Sequence, residues 1–367
     1  MERMPSNRIN PGFWNGRRVF VTGHTGFMGS WLCLWLKRLG ADVSGYALAP
    51  PTEPSLYASL SLGDRMNSVI ADIRDLGRFT NAMKDCAPDL VFHLAAQPLV
   101  GTAHRDPVET FETNVMGTVN LLQAIRATPT VKGALIVTTD KVYENQEWAW
   151  GYRETDPLGG HEPYGVSKAC AELAVNAFRH SYFSDDRNLG IATIRAGNII
   201  GGGDWAESRL VPDAVRAFHA GTPLSLRNPS ATRPWQHVLD PLRGYLMLAE
   251  HLTEDPGQYS GPWNFGPTEE DSLPVSEIAT ELTRLWGNGA DWTVPGDVAS
   301  SAATTTAKES QQLILSSSQA INRLNWRPIW RIHRALSASV EWYKAHIADQ
   351  DLYGLSMQQI SLVEGSN

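Results

Sequence analysis

Short runs of β-branched and aliphatic residues alternate with longer amphipathic segments over the first half of the chain. The apolar runs predict strands at Val19–Thr22, Asp42–Tyr46, Ser68–Ala71, Leu90–His93, Ala134–Thr138 and Ile191–Arg195. The amphipathic segments predict helices at Trp31–Leu39, Leu76–Cys86, Glu112–Ala127 and Ser167–Tyr182. Alternation of this kind is typical of a parallel sheet covered by helices on both faces, so we predict an α/β fold.

The pattern breaks into shorter pieces after the glycine triplet Gly201–Gly203. Prolines recur beyond it, tryptophan becomes frequent, and one short run, Trp263–Phe265, predicts a strand that returns to the main sheet. We therefore expect a main domain over residues 1–200, joined by 238–267. A smaller mixed α/β domain over 201–237 and 268–350 is expected to bind the substrate, and residues 357–367 to form a poorly ordered tail.

Three glycines follow the first predicted strand and precede an apolar helix: Gly23, Gly26 and Gly29. Glycine there permits a tight turn, close approach of the backbone to a pyrophosphate, and close packing of helix on strand. The free N–H groups and the dipole at the helix N-terminus favour anionic phosphates. The motif predicts a Rossmann-like, doubly wound parallel sheet with a dinucleotide site formed by Gly23, His24, Thr25, Gly26, Phe27, Met28 and Gly29.

The end of the second predicted strand bears on which dinucleotide binds. Residues 46–49 lack the acidic side chain that usually holds the adenosine ribose, and they also lack an Arg or Lys that would accept a 2′-phosphate. The absence of a basic residue favours NAD, while the absence of the acid leaves NADP as an alternative.

Loops after later strands are expected to complete the cofactor site. Asp72 and Ile73 follow the third strand, where they are placed to meet an adenine. After the fourth strand, the small side chains of Ala95 and Ala96 would let a cofactor lie against the backbone, although plain packing also explains them. The expected contacts outside the glycine turn are Asp72, Ile73, Leu94, Ala95, Ala96, Gln97, Asn114, Thr138, Tyr164 and Lys168.

A phenol and an ammonium lie four residues apart in Tyr164-Gly165-Val166-Ser167-Lys168, on one face of a predicted helix. A nearby Lys⁺ favours the phenolate and is expected to lower the pKa of Tyr164. The phenol would then take the proton of a sugar hydroxyl while hydride leaves the same carbon. Because such pairs often lie on solvated helix faces, the prediction depends on the glycine turn upstream and on Thr139 at a strand end between them.

These motifs resemble those of the extended short-chain dehydrogenase/reductase family over nearly the whole chain, in particular the CDP-glucose group of its sugar-nucleotide 4,6-dehydratases. The segments that carry the resemblance are residues 19–27, 93–100, 113–118, 150–154, 195–198, 201–205, 233–238 and 263–267. The resemblance implies NAD as cofactor, CDP-glucose or a related sugar nucleotide as substrate, deoxysugar synthesis as the process, and a cytoplasmic homodimer or homotetramer.

Asp140 and Lys141 follow Thr139 at the same strand end. Dehydratases of the dTDP-glucose type carry Asp-Glu at this place, whereas the CDP-glucose group carries Asp-Lys. The resemblance implies that Asp140, if protonated, assists departure of the 6-hydroxyl and that Lys141, if its pKa is lowered by burial, removes the C5 proton. Thr139, Asp140, Lys141, Tyr164 and Lys168 are thus the predicted catalytic residues. A surface ion pair of Lys141 with a carboxylate is the alternative.

Substrate contacts are expected mainly in the second half, where guanidinium groups suit bidentate binding of a diphosphate. The candidates are Gln97, Asn198, Arg209, Arg227, Arg233 and His237. Trp205 and Trp235 are either core residues or stacking platforms for the base. No motif reads cytosine, so that assignment depends on the resemblance.

Composition narrows the classes of function. A formal net charge of −8 leaves no basic footprint for nucleic acid. The most apolar early stretch is too short to span a membrane, the first residues lack the features of a signal peptide, and the three cysteines have no metal-ligand spacing. We therefore expect no metal, membrane or nucleic-acid partner. An NDP-sugar 4-epimerase or a dehydratase of another NDP-glucose is the competing enzyme, and a catalytically silent NAD sensor is the competing non-enzyme.

Overall fold

The computed structural model describes residues 6–183, 188–294 and 312–365. In chain order the strands are β1 (Arg18–Thr22), β2 (Asp42–Ala47), β3 (Asn67–Ile70), β4 (Leu90–His93), β5 (Gly133–Val137), β6 (Gly190–Arg195), β7 (Ile199–Ile200), β8 (Leu224–Ser225), β9 (Thr232–Pro234), β10 (Gln236–His237), β11 (Gly261–Asn264), β12 (Ser272–Pro274) and β13 (Trp292–Thr293).

The helices are α1 (Pro11–Trp14), α2 (Phe27–Arg38), α3 (Leu56–Ser59), α4 (Leu76–Cys86), α5 (Val100–Arg105), α6 (Pro107–Phe111), α7 (Gly117–Arg126), α8 (Pro163–Tyr182), α9 (Leu210–His219), α10 (Leu239–Glu254), α11 (Pro256–Tyr259), α12 (Val275–Trp286), α13 (Ser318–Leu324), α14 (Ile332–Ile347) and α15 (Leu352–Gly365). A π-helical turn, Glu112–Met116, joins α6 to α7. The six strands and four helices predicted in the first half are all present, with ends shifted by a few residues.

Seven strands form one parallel sheet in the order β11-β6-β5-β4-β1-β2-β3. Thr22 pairs with His93 and His93 with Ile136, so β1, β4 and β5 end at the same edge. The strand order reverses between β1 and β4, which is where ligands bind in doubly wound folds. The predicted Rossmann-like fold class is confirmed.

Successive residues of each strand pack on opposite faces of the sheet. Val19 and Val21 join the cluster on one face, while Phe20 joins Val91 and Ile136 on the other. Because helices cover both faces, β4 and β6 are buried along their whole length, which explains why they are continuous apolar runs.

The strand predicted at Trp263–Phe265 is confirmed in the main sheet. It is β11, and Trp263 pairs with Ile194 of β6. The chain therefore leaves the main sheet after β6 and returns to it from the second half. The division of the remaining residues into two domains stays a prediction.

The prediction of a poorly ordered tail is wrong for residues 357–365. They lie in α15, where Ile360 and Val363 are buried and Glu364 accepts hydrogen bonds from Trp35 Nε1 and Arg38 Nε, each at 2.9 Å. Burial of these apolar side chains stabilises the helix against α2 and the core. Residues 366 and 367 lie outside the described residues.

Within residues 6–183, 188–294 and 312–365, no helix is long and apolar enough to cross a bilayer. The same ranges contain no group of three or more His, Cys, Asp or Glu side chains arranged to hold a metal ion.

Candidate active site

The glycine turn between β1 and α2 has the geometry that the sequence predicts. Gly23 has a φ of 75°, and a Cβ added to it would lie 2.6 Å from the backbone nitrogen of Ala95. A Cβ on Gly29 would lie 2.1 Å from the carbonyl oxygen of Gly23. A side chain at either position would therefore collide with backbone, which makes glycine necessary for the turn to close.

Gly26 has a different environment, because a Cβ added to it would meet only the Gly23 carbonyl oxygen, at 3.4 Å. Gly26 is the N-cap of α2, and within the described ranges no side chain caps this helix. The N–H groups of its first turn are thus left for an anion. The open space beside Gly26 and the uncapped helix fit the pyrophosphate of a dinucleotide.

The side chains of His24 and Thr25 stabilise the turn through hydrogen bonds to neighbouring residues. His24 is fully buried, its Nε2 lies 2.7 Å from Ser68 Oγ, and burial lowers its pKa to about 4, so the ring is neutral. Thr25 Oγ1 donates to the carbonyl of Leu48 at 2.9 Å. A cofactor contact of His24 can therefore come only from its backbone, whereas the Thr25 hydroxyl has used its proton and can only accept.

Asp72 and Ile73 lie beside the end of β2, and their contact with an adenine stays a prediction. Tyr46 Oη donates to the carbonyl of Asp72 at 3.1 Å. The Asp72 carboxylate is bound by the guanidinium of Arg74 at 2.6 Å, and this hydrogen bond lowers the pKa of Asp72. Any contact between the Asp72 side chain and a cofactor would therefore involve a carboxylate that is already paired with Arg74. Nearby Leu48 is 57% exposed.

The loop after β4 is held by Asn114 and by its own Gln97. Asn114 Oδ1 accepts from the Gln97 backbone N–H at 2.9 Å, and Asn114 Nδ2 donates to the Gln97 carbonyl at 3.1 Å and to Ser167 Oγ at 2.9 Å. The Gln97 amide donates to Thr110 Oγ1 and accepts from the N–H of Leu99. Both residues therefore shape the loop, and Gln97 turns its side chain back on that loop, which does not support its predicted substrate contact.

The predicted catalytic residues form a buried row at the end of β5. The Thr139 hydroxyl lies beside that of Tyr164, and Thr139 Oγ1 donates to Asp140 Oδ1 at 3.0 Å. Lys168 lies one turn along α8 from Tyr164, and its Nζ donates to the carbonyl of Val137 at 3.0 Å. The structure thus brings together a helix face and a strand end that are more than 20 residues apart in sequence.

The expected effect of Lys168 on Tyr164 is wrong in the free chain. Burial raises the pKa of Tyr164 to about 12, while the adjacent Thr139 hydroxyl and the charge of Arg209 act in the opposite direction. Lys168 is not one of the largest influences on this pKa. Burial also lowers the pKa of Lys168 to about 8, so this ammonium is itself easily deprotonated.

Asp140 has the environment of a protonated acid. Its side chain is buried and Oδ2 has no hydrogen-bond partner among the described residues. Burial raises its pKa, against the charge of Lys141, the hydrogen bond from Thr139 and the charge of Arg233. A Cβ added to Gly197 would lie 1.8 Å from Oδ2, so this glycine makes the room in which the carboxyl sits.

Lys141 is half-buried and follows Asp140 in a short 3₁₀ turn. Across residues 6–183, 188–294 and 312–365, its ammonium forms no ion pair with a carboxylate, so the ion-pair alternative finds no partner there. A Cβ on Gly165 would lie 2.6 Å from the Lys141 carbonyl, so this glycine lets α8 approach the turn. Glu162 starts α8 by accepting from the N–H groups of Tyr164 and Gly165.

Two of the predicted substrate residues lie near the catalytic row. Arg209 is bound to Asp204 at 2.9 Å, and its charge acts on Tyr164. Arg233 is buried, donates to the carbonyl of Thr232, and its charge acts on Asp140. Asn198, with a φ of 45°, lies between β6 and β7. Arg227 is exposed just after β8.

His237 does not support its predicted role. Its ring is fully buried between Trp31 and Trp330, with ring centroids 6.4 and 4.6 Å away, and burial lowers its pKa to about 3. Its Nδ1 accepts from the N–H of Leu239. It therefore packs in the core as a neutral ring. Trp235 lies in the core and its Nε1 donates to the carbonyl of Leu273, which favours the core alternative over base stacking. Trp205 is partly buried and packs against the same core.

Thr138 makes a contact that the sequence reasoning missed. Its Oγ1 donates to Glu172 Oε1 at 2.7 Å, and Glu172 is ion-paired with Arg195 at 2.9 Å. Glu172 lies four residues after Lys168, so helical spacing alone would have placed it on the same face. Gly165 and Gly197 were also missed, and no sequence signal distinguishes them from other glycines.

The chain is similar to known proteins of sugar-nucleotide metabolism. It is 46% identical over 357 residues to the CDP-glucose 4,6-dehydratase of Salmonella typhimurium, covering 96% of this chain and 98% of that one. Its fold is similar to that of the Thermotoga maritima UDP-glucose 4-epimerase solved with UDP-glucose, with a TM-score of 0.77, 20% identity, and 90% and 99% of the two chains covered. A dTDP-glucose 4,6-dehydratase from Bacillus anthracis, solved with NAD, gives a TM-score of 0.73 with 20% identity and covers 91% and 99%.

The family described as the NAD dependent epimerase/dehydratase family matches residues 19–264, which run from β1 to the end of β11 and include the glycine turn, the row at the end of β5 and the Tyr164–Lys168 face. With this match and a relative of 46% identity along nearly the whole chain, the protein belongs to the NAD dependent epimerase/dehydratase family.

Proposed function

We propose that the protein is an NAD-dependent 4,6-dehydratase that converts CDP-glucose into its 4-dehydro-6-deoxy derivative. The observation that carries the proposal is the buried row of Tyr164, Thr139 and Asp140, with Lys141 next to it. The row holds groups for oxidation at C4 and also groups for loss of water. The 46% identity to a CDP-glucose 4,6-dehydratase supports both the reaction and the choice of nucleotide. No other observation bears on the nucleotide.

Oxidation at C4 uses the helix face of α8. NAD, when bound, supplies the acceptor for the C4 hydride and returns that hydride to C6. Tyr164 takes the proton of the 4-hydroxyl, and the Thr139 hydroxyl beside the phenol orients it. Because burial raises the pKa of Tyr164 to about 12, the phenol is protonated in the free chain. Tyr164 can therefore accept a proton only when positive charge in the site, including that of Lys168, lowers the pKa of its phenol.

Loss of water uses the end of β5. The 4-ketone acidifies the C5 hydrogen, and Lys141 removes that proton. The C6–O bond breaks, and the oxygen leaves as water with a proton that Asp140 is placed to give, since burial raises the pKa of this carboxyl. Lys141 can then return its proton to C5, and the reduced cofactor, when bound, would supply the hydride to C6. The net redox change is zero, so the overall reaction is a lyase reaction.

The sugar nucleotide is expected to lie between this row and the second half of the chain. Arg209 and Arg233 provide positive charge next to Tyr164 and Asp140, which is the side from which a diphosphate would approach. Asn198 and the exposed Arg227 remain further candidates. The structure favours Arg209 and Arg233 because both act on catalytic groups.

We also propose that the protein forms a homodimer or homotetramer. Val108 and Met116 are 66% and 50% exposed, and with Pro107, Phe111 and Val115 they line an apolar depression around the π-helical turn. Exposed apolar surface of this kind is typical of a protein interface. Light scattering would give the mass, and Val108→Glu should lower it; a monomer in the unaltered protein would refute the proposal.

The reaction is tested by incubating the protein and NAD with CDP-, dTDP- and UDP-glucose and weighing the products. The expected result is loss of one water from CDP-glucose, with no net change in NAD. A product of unchanged mass would indicate a 4-epimerase instead. If the redox state of NAD never changed with any sugar nucleotide, even in a single turnover, the NAD-sensor alternative would replace the proposal.

A further inference from the structure

Glu172, a carboxylate that the proposed reaction does not use, is hydrogen-bonded to Thr138, the residue that precedes the catalytic row. Glu172 is buried, and its two oxygens accept four hydrogen bonds. Oε1 accepts from Thr138 Oγ1 at 2.7 Å and Arg195 Nε at 2.9 Å, and Oε2 from Thr193 Oγ1 at 2.6 Å and Arg195 Nη2 at 3.1 Å. Because three residues bind its two oxygens at 2.6–3.1 Å, the Glu172 carboxylate has little freedom to move.

These bonds join α8 to two strands of the main sheet. Glu172 belongs to α8, Thr138 immediately follows β5, and Thr193 and Arg195 belong to β6. Thr138 is the residue before Thr139, so its bond to Glu172 holds the start of the catalytic row. The distance between the Tyr164 face of α8 and the end of β5 therefore depends on this carboxylate.

The charge of Glu172 also faces Lys168. The two residues are four apart on α8, where side chains are neighbours. Burial lowers the pKa of Lys168 to about 8, and Glu172 is the group that opposes this effect. Among the described residues, the charged or titratable groups next to Lys168 are Tyr164 of the same helix and neutral His93 of β4. On the far side of Glu172 lie Arg195 of β6 and Arg179 of α8, and Asp140 lies beyond Tyr164.

We propose that Glu172 is a positioning residue for the Tyr164–Lys168 pair, because it fixes α8 to the end of β5 and supplies the negative charge that faces Lys168. The proposal rests on the proposed function for the use of that pair in catalysis. Its structural and electrostatic parts concern the protein alone and are measurable without substrate.

The test compares Glu172→Gln with Glu250→Gln. Glu250 is a second buried carboxylate, and both its bonds, from Trp14 Nε1 and the Asn10 N–H, go to Oε1, which glutamine keeps. Titration of Lys168 is followed by NMR of protein labelled at lysine Cε, with the resonance assigned by Lys168→Arg. In Glu172→Gln the midpoint should fall by about one pH unit or more, since an opposite charge at this range is removed. Glu250→Gln should leave it unchanged.

The same pair is then assayed for turnover across pH. The alkaline limb of kcat should move to lower pH in Glu172→Gln by the same amount, with a roughly fivefold or greater loss at pH 8 and little change in KM. A folded Glu172→Gln protein with an unaltered Lys168 midpoint and an unaltered limb would overturn the proposal. If the unaltered protein dehydrates no sugar nucleotide, the proposed function fails, and the NMR titration still decides the role of Glu172.

A second pair of variants covers the case in which Glu172→Gln does not fold. Thr138→Val and Thr193→Val each remove one hydroxyl bond to Glu172 and keep the ion pair with Arg195. Thr138 adjoins the catalytic row, whereas Thr193 lies within β6. Thr138→Val should lower kcat about tenfold more than Thr193→Val at equal loss of melting temperature. Equal kcat in both variants would mean that the carboxylate has only a structural role.

Discussion

The room that Gly197 leaves for Asp140 provides a sharp test of the elimination step. A Cβ at residue 197 would lie 1.8 Å from Asp140 Oδ2 and 2.4 Å from its Cγ, whereas ordinary contacts begin at 3.4 Å. In Gly197→Ala the carboxyl must therefore retreat by roughly 1.5 Å. A displacement of about 1 Å in a catalytic group costs roughly 10²-fold in rate. We expect dehydration to slow by about that factor.

The oxidation step should be less affected, because the three atoms nearest to the new Cβ all belong to Asp140. A single turnover of Gly197→Ala with CDP-glucose should show NADH absorbance that persists, with the 4-keto-glucose nucleotide detected by mass spectrometry. Gly77→Ala is the matched control, since its new Cβ would meet Asp75 Oδ1 at 3.6 Å, an ordinary contact. Melting temperatures of both variants are needed. Normal dehydration by a folded Gly197→Ala protein would refute the role given to Asp140.

Three further predictions follow from single residues. Lys141→Met should allow oxidation at C4 and stop exchange of the C5 hydrogen in D₂O; dehydrated product at the normal rate would mean that Lys141 is not the base. Arg233→Ala should raise KM more than it lowers kcat if the guanidinium binds the diphosphate equally in ground and transition states, and an unchanged KM would remove it from the substrate site. Burial raises the pKa of Glu250 to about 7, so its contribution to stability is complete below its ordinary pKa near 4.5 and is lost as pH rises through 7. Between pH 5 and 8 the free energy of unfolding should fall in the unaltered protein by on the order of 2–3 kcal/mol more than it does in Glu250→Gln. The same pH dependence of the unfolding free energy in both proteins would contradict this prediction.

The sequence was sufficient for the fold class and for most of the candidate site. Local patterns carry that information: apolar runs predict buried parallel strands, and the spacing of Gly23, Gly26 and Gly29 predicts the turn. Tyr164 and Lys168 lie on one helix face because four residues make about one turn. The predicted tail was wrong because polar residues between Met357 and Gly365 hide the apolar positions that α15 buries.

Only the tertiary structure decided which groups share an environment and what that environment does to them. Burial raises the pKa of Tyr164 and Asp140, lowers that of Lys168, and removes His237 from the site, and burial is a property of the packed chain. The contact between Gly197 and Asp140 joins residues 57 positions apart, and the bond between Thr138 and Glu172 joins different elements. Such contacts arise because β5, β6 and α8 pack side by side, so no local pattern of residues reports them.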